Sequence, residues 1–178
     1  MSTLLSHTNN VILMQCNTNY TASLENFKYI NLNVLKEYSR RYPDTILGLS
    51  DHTPGHATVL GAVTLGARVI EKHFTDDVSR EGPDHKFSMD FNTWKSMVDR
   101  TRELENSLGM EIKKVEDNEM ETVVLQRRSI RIKKDMVAGD VIMEDDLEFL
   151  RPCPKDALPP YELQKVLGKK LTENIKSG

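Results

Sequence analysis

Cysteine is scarce. Cys16 and Cys153 are the two in 178 residues, too few for a disulfide framework, and a reducing, cytoplasmic setting is expected. No apolar run approaches the ~20 residues of a membrane span, and the start, Met1-Ser2-Thr3-Leu4-Leu5-Ser6-His7, lacks the charged-then-apolar build of a signal peptide. Basic charge is not in excess either. The 24 Lys and Arg residues stand against 27 Asp and Glu, a net charge of −3, so the electrostatic footprint of a nucleic-acid binder is missing. Internal repeats and low-complexity tracts are absent. Hydrophobic residues, at 38%, fall somewhat below the usual share but suffice for a core, which argues against wholesale disorder. The length suits one medium domain, or one domain with a small appendage.

What is present alternates. Val11-Ile12-Leu13-Met14-Gln15-Cys16 is a short, largely continuous apolar run, the pattern of a buried parallel strand, and within it Cys16 is expected in the core. The polar loop Asn17–Thr21 follows. Residues 23–42 carry Leu24, Phe27, Ile30, Leu32, Val34, Leu35 and Tyr38, much of it at helical spacing, closed by Tyr42-Pro43. A second strand, Thr45–Ser50, opens into Asp51-His52-Thr53-Pro54-Gly55-His56. A small-residue helix over 57–65 ends at Gly66, and a third strand, Ala67–Lys72, runs into His73-Phe74-Thr75-Asp76. Strand–helix alternation of this kind predicts a parallel sheet. A long polar loop spans 76–86, and a further helix is expected from Asn92 to Leu108, stopped by Gly109. Residues 110–122 are charged and weakly periodic and read as a linker between a first domain, 1–109, and a second, β-rich domain, 123–178. There, strands are expected at 129–132 and, after a turn, at 141–142, with a short helix at 161–166. Met136 and Met143 read as packing residues.

The chemistry concentrates at two histidines. His52 and His73 each lie just beyond a strand and are 21 residues apart, one strand–helix–strand crossover. In a parallel sheet that places both on the rim where such folds keep their active sites. Two imidazoles with water or substrate oxygens make an open divalent-metal site suited to Lewis-acid work. The plainer alternative is that each caps a loop by hydrogen bonding. Ser50, at a strand end, could hold a phosphate or carboxylate, and Asp51 could equally be a turn or capping residue. Asp84, in Gly82-Pro83-Asp84, could bind hydroxyls or move protons, or be a solvated turn residue. His56 and His85 read as structural or solvated.

The run Gly48-Leu49-Ser50-Asp51-His52-Thr53, then Leu60-Gly61-Ala62-Val63-Thr64-Leu65-Gly66-Ala67, Val69-Ile70-Glu71-Lys72-His73-Phe74-Thr75 and Gly82-Pro83-Asp84-His85-Lys86-Phe87-Ser88-Met89, closely resembles the sialic acid synthase family. Arg127-Arg128-Ser129-Ile130, Gly139-Asp140, Leu150-Arg151-Pro152 and Leu167-Gly168-Lys169-Lys170-Leu171 resemble that family's antifreeze-like C-terminal domain. The resemblance covers about residues 10–178. It implies an α/β fold, the C-terminal part of a (β/α)8 TIM barrel followed by a small β-rich antifreeze-like (SAF, β-clip) domain.

It also implies a metal-dependent condensation of phosphoenolpyruvate with N-acetylmannosamine and water, giving N-acetylneuraminate and phosphate. Legionaminate and pseudaminate synthesis are close alternatives, and a non-catalytic sugar-binding or assembly module is the alternative from another class. By resemblance, His52 and His73 are metal ligands, for Mn2+ first and Mg2+ or Co2+ next. Tyr20 and Ser50 contact phosphoenolpyruvate, and one of Asn17, Thr18 and Asn19 joins them. Phe74 belongs to the substrate site. Asp84 binds the sugar, and Arg151 reaches the N-acetyl group across a domain-exchanged homodimer. A full barrel needs ~200 residues or more, so three barrel strands and an antifreeze-like domain without its last strand suggest an internal piece of a synthase, expected to have little activity alone.

Overall fold

The computed structural model describes residues 2–8 and 10–178, and the chain divides into two compact units, 1–110 and 111–178. In the first unit, a short helix α1 (Ser2–Leu5) precedes strand β1 (Ile12–Cys16). Helix α2 (Val34–Arg41), strand β2 (Ile46–Asp51), helix α3 (Ala57–Thr64), strand β3 (Val69–Lys72) and helix α4 (Phe91–Leu108) follow. The three strands form one parallel sheet in the order β1-β2-β3, as the alternation requires. Leu47 and Leu49 of β2 turn to the helical side, where Leu35, Val59, Ala62, Met89 and Met97 bury against them.

Three glycines explain local geometry. Gly48 lies in β2 where a Cβ would come within 2.8 Å of the Val69 carbonyl oxygen and 2.9 Å of Met14 Cγ, so only glycine fits there. Gly66 (φ 97°) and Gly109 (φ 55°) take the left-handed region that ends α3 and α4. At its start α4 is held by a reciprocal cap. Asp90 accepts from the Thr93 backbone N–H at 2.8 Å, while Thr93 Oγ1 accepts from the Asp90 N–H at 2.9 Å.

Several expectations need correction. Residues 23–42 are not one helix. A 3-10 segment, Leu24–Tyr29, capped by Ser23, gives way to α2, because Asn31 at φ 51° breaks the helical path between them. Strand β1 is not buried: Ile12 is half exposed and Cys16 is exposed, since β1 is the edge of this sheet. The thiol of Cys16 is therefore outside the core.

The second unit begins with structure in the stretch expected as linker, a 3-10 turn at Asp117–Glu119 and helix α5 (Met120–Gln126). Strands β4 (Ser129–Ile132) and β5 (Leu147–Leu150) pair antiparallel. The strand expected at 141–142 is reduced to a single bridge, Val141 to Lys170, flanked by backbone bonds from Gly168 to Ile142 and from Ile142 to Lys169. The helix expected at 161–166 is a 3-10 segment, Pro160–Lys165, led in by Pro159. Met136 packs in this small core with Ile142 and Leu147, whereas Met143 is exposed, contrary to its expected packing role.

Candidate active site at the strand ends

Register explains the site. Ser50 pairs with Glu71 and Asp51 with Lys72 across β2 and β3. Side chains alternate faces along a strand, so Ser50 and Glu71 share one face and Asp51 and Lys72 the other. One step further along, the chain brings the rings of His52 and His73 to 5.1 Å between centroids.

His52 is almost fully buried. Its Nδ1 lies 3.0 Å from the Asn17 carbonyl oxygen. A carbonyl oxygen can only accept, so Nδ1 carries the hydrogen and, in the neutral ring, Nε2 keeps its lone pair for a ligand. His73 is half-buried, with Nδ1 3.4 Å from Asp84 Oδ2. Tyr20 stacks on His52 at 4.1 Å and 25° and meets His73 edge-on at 5.6 Å. Buried Phe87 closes the group, 5.0 Å from His73 and 5.9 Å from Tyr20. The tyrosine is 52% exposed, so the cluster faces solvent on its side.

The other candidates divide. Ser50 Oγ donates to Glu71 Oε1 at 2.8 Å. Asn17 also donates through Nδ2 to the Tyr29 carbonyl and accepts from the Asn19 N–H, while Asn19 and buried Asn26 bond each other, so the loop after β1 is held by amides. Thr18 lies between those two asparagines, in the loop that ends at Tyr20. Phe74 is not brought to the histidines: the next position after His73 faces the helical side, and its ring packs edge-on against Trp94 of α4 at 5.9 Å. Arg151 is exposed on the second unit, just after β5.

Sequence reasoning missed the network beneath the histidines. Lys72 Nζ donates to Asp51 Oδ2 at 2.7 Å and to the Thr53 carbonyl at 2.5 Å, and both charged side chains are fully buried. Thr58 Oγ1 donates to Asp51 Oδ2 at 2.6 Å, and Thr53 donates to Oδ1 through its backbone N–H at 3.1 Å and its hydroxyl at 2.8 Å. Asp51 thus makes the turn contact expected of it, through the Thr53 N–H, but does so inside a buried ion-paired network. The available signal was an aspartate and a lysine, each the residue just before a histidine at the end of a strand. Glu71 and Phe87 were likewise visible only as motif letters.

Beyond β3 the loop is ordered by its own polar contacts. Thr75 Oγ1 and His85 Nδ1 are 2.7 Å apart. Two hydrogen bonds from Arg80, at 2.7 and 2.9 Å, hold the Asp76 carboxyl below the ordinary carboxylate range, and bonds from Ser79 do the same for Asp77.

The donor set bears on a metal. Among the described residues, no group of three or more His, Cys, Asp and Glu side chains is placed to hold an ion. Two converging imidazoles, one with its tautomer set by Asn17, still fit a divalent ion that takes its remaining ligands from water or substrate. None of the described helices is long and apolar enough to cross a membrane.

Comparison with known proteins meets the same elements. The chain is 39% identical over 168 residues to N,N'-diacetyllegionaminic acid synthase of Legionella pneumophila, covering 94% of this chain and 46% of that protein. It is 36% identical over 168 residues to pseudaminic acid synthase of Campylobacter jejuni, covering 94% and 47%. It is 31% identical over 166 residues to human N-acetylneuraminate-9-phosphate synthase, covering 93% and 45%. Among solved structures, the spore coat polysaccharide biosynthesis protein spsE of Bacillus subtilis matches with a TM-score of 0.52 at 29% identity, over 97% of this chain and 52% of that one. The chain thus spans about half the length of the curated relatives it matches. The NeuB family model matches residues 1–113 and the SAF domain model residues 127–178, in the order in which the two units follow one another. The chain belongs to the NeuB family and carries a SAF domain behind its parallel-sheet unit.

Proposed function

We propose that this chain supplies the metal-and-sugar end of a phosphoenolpyruvate-dependent nonulosonic acid synthase. The observation that carries the reading is the convergence of His52, His73, Tyr20 and Asp84 at adjacent strand ends in a NeuB-family chain. The reaction joins the methylene carbon of phosphoenolpyruvate to the aldehyde carbon of an open-chain N-acetylated amino sugar. Water adds at the former enol carbon and phosphate leaves.

In this reading His52 and His73 hold a divalent ion, Mn2+ before Mg2+ or Co2+, which when bound supplies Lewis-acid polarisation of the sugar aldehyde. The Asn17 carbonyl keeps the His52 proton on Nδ1 and so aims Nε2 outward. Asp84 orients His73 and offers its second oxygen to a sugar hydroxyl. Tyr20 covers His52 and shields one side of the site from water. Ser50, together with the amides of the 17–19 loop, faces the phosphoenolpyruvate side. Arg151, exposed on the second unit, would serve the N-acetyl group within a domain-exchanged homodimer. The substrate sugar is N-acetylmannosamine or one of the related precursors of legionaminate and pseudaminate. The names of the relatives, which include synthases of diacetyllegionaminic acid, pseudaminic acid and N-acetylneuraminate 9-phosphate, support the class as a whole.

Titrating the chain with Mn2+, followed by electron paramagnetic resonance of the free ion, tests this. Saturable binding that disappears in the His52→Ala/His73→Ala variant is expected. Binding that survives both substitutions, or no binding by the unaltered chain, overturns the metal assignment. Phosphate release from phosphoenolpyruvate with each of the three sugars in turn then ranks the substrates.

A further inference from the structure

Resting on the reading of His52 and His73 as a pair that works together, we infer that the buried Asp51–Lys72 ion pair is a positioning clamp that sets the separation and orientation of the two histidines. Each charged residue is the immediate chain neighbour of one histidine: Asp51 precedes His52 and Lys72 precedes His73. The two are register partners across β2 and β3. A bond between their side chains therefore ties together the two points at which the sheet ends and the histidines begin. The bond is 2.7 Å long, and neither side chain reaches solvent.

Its other partners point the same way. Lys72 also donates to the Thr53 carbonyl, on the far side of His52, so the ammonium holds the chain both before and after that ring. Asp51 takes bonds from Thr53 and from Thr58 in the first turn of α3. The end of β2, the end of β3 and the start of α3 thus meet at one carboxylate. No buried side-chain polar atom among the described residues lacks a partner, so no member of the network is left without a hydrogen bond. A buried ion pair is weak evidence for stability, because apolar residues of like size often serve as well. Its place directly behind two converging imidazoles gives it a geometric task instead. None of its side chains is on the face of the histidines, so the clamp acts through the backbone and touches no substrate.

The test compares the unaltered chain with Asp51→Asn/Lys72→Met, which removes both charges together and leaves neither one buried alone, and with Lys72→Arg, which keeps the cation. Thermal unfolding reports the fold. Crystal structures report the distance between the two rings, and Mn2+ titration reports their joint use. A clamp predicts that the doubly neutral chain folds, that its ring separation departs from 5.1 Å, and that Mn2+ affinity falls about 10- to 100-fold, as for other groups that orient a ligand. Lys72→Arg should recover part of that affinity. A doubly neutral chain that folds with the rings still at 5.1 Å and Mn2+ affinity intact overturns the clamp and leaves only a packing role.

If the doubly neutral chain does not fold, Thr58→Val removes one hydrogen bond from Asp51 and keeps the ion pair. An Mn2+ affinity lowered about fivefold, the worth of one hydrogen bond, supports the clamp, and an unchanged affinity overturns it. If the unaltered chain binds no Mn2+, the functional reading fails, and the ring separation in the variants alone decides the clamp.

Discussion

The two units of this chain bury different things. In the first, a substantial apolar core lies on one side of the sheet, and charged or polar groups such as Asp51, His52, Thr53, Thr58 and Lys72 are buried together at one end of it. In the second, the buried hydrophobics among the described residues are Met136, Ile142 and Leu147. The ion pairs there, such as Lys134–Asp146 and Lys165–Glu162, keep at least one partner in solvent. Burying polar groups is costly unless every one is paired. A unit that does so at a single sheet end, and satisfies them all, is organised around that end. The second unit, with a small core and mostly surface charges, is held by one short strand pair, turns and isolated bridges. Its residues of interest, Arg151 above all, are presented from an exposed surface.

The sharpest test of this contrast is at the histidines. His52→Ala or His73→Ala should lower Mn2+ affinity by more than about 100-fold, beyond the range for groups that only orient a ligand, while Arg151→Ala should leave Mn2+ affinity unchanged. Titration monitored by electron paramagnetic resonance decides it. Next comes Lys72→Met alone, which leaves Asp51 buried without its cation. A loss of about 3–5 kcal/mol is expected, seen as faster hydrogen exchange in β2 and β3 but not in β4 and β5. Uniform acceleration through both pairs of strands would break the comparison.

Smaller effects should separate the units by core size. Leu49→Ala, at a fully buried position of the larger core, should cost about 3–5 kcal/mol, and Leu147→Ala about 2–3 kcal/mol, by denaturant unfolding. Gly48→Ala should cost about 1–3 kcal/mol, because its Cβ would meet the Val69 carbonyl.

The smallest effect is electrostatic and belongs to the second unit. Hydrogen bonds from Lys134 and from the Met143 backbone lower the Asp146 carboxyl. A group lowered on folding contributes stability that is present above its unfolded value, near 3.8, and lost as pH falls through the folded value. Lys134 is raised above 10.5 by the same contact, so its share is present below that pH and lost as pH rises through the folded value. Asp146→Asn should flatten the acid side of the second unit's unfolding profile by lowering stability near neutrality, with little effect at pH below the folded value.

Much of the first unit was legible from pattern alone. Alternating apolar runs and helical spacing located β1, β2, β3, α3 and α4, and Gly66 and Gly109 marked helix ends, because strand pleat and helix pitch repeat over a few residues. The 21-residue spacing of His52 and His73 anticipated their meeting for the same reason: one crossover has a standard length. The second unit was harder. Its strands are four residues long, its further pairings are single bridges and its helical pieces are one seven-residue helix and short 3-10 segments, so no period runs long enough to declare itself. Cys16 was misplaced because a continuous apolar strand reads as buried whether or not a neighbour covers its edge.

By itself the sequence determined the order of elements, the two-part organisation of motifs and the residue types available at each strand end. These are local properties, written in neighbours a few positions apart. Only the tertiary structure decided which of those residues meet. It paired Asp51 with Lys72, aimed the Nδ1 of His52 at Asn17, laid Tyr20 on His52 and turned Phe74 away toward Trp94. The first three of these join residues 21 to 35 positions apart, and the fourth follows from which face of the strand end each side chain takes. Both depend on strand register, which a one-residue slip would undo.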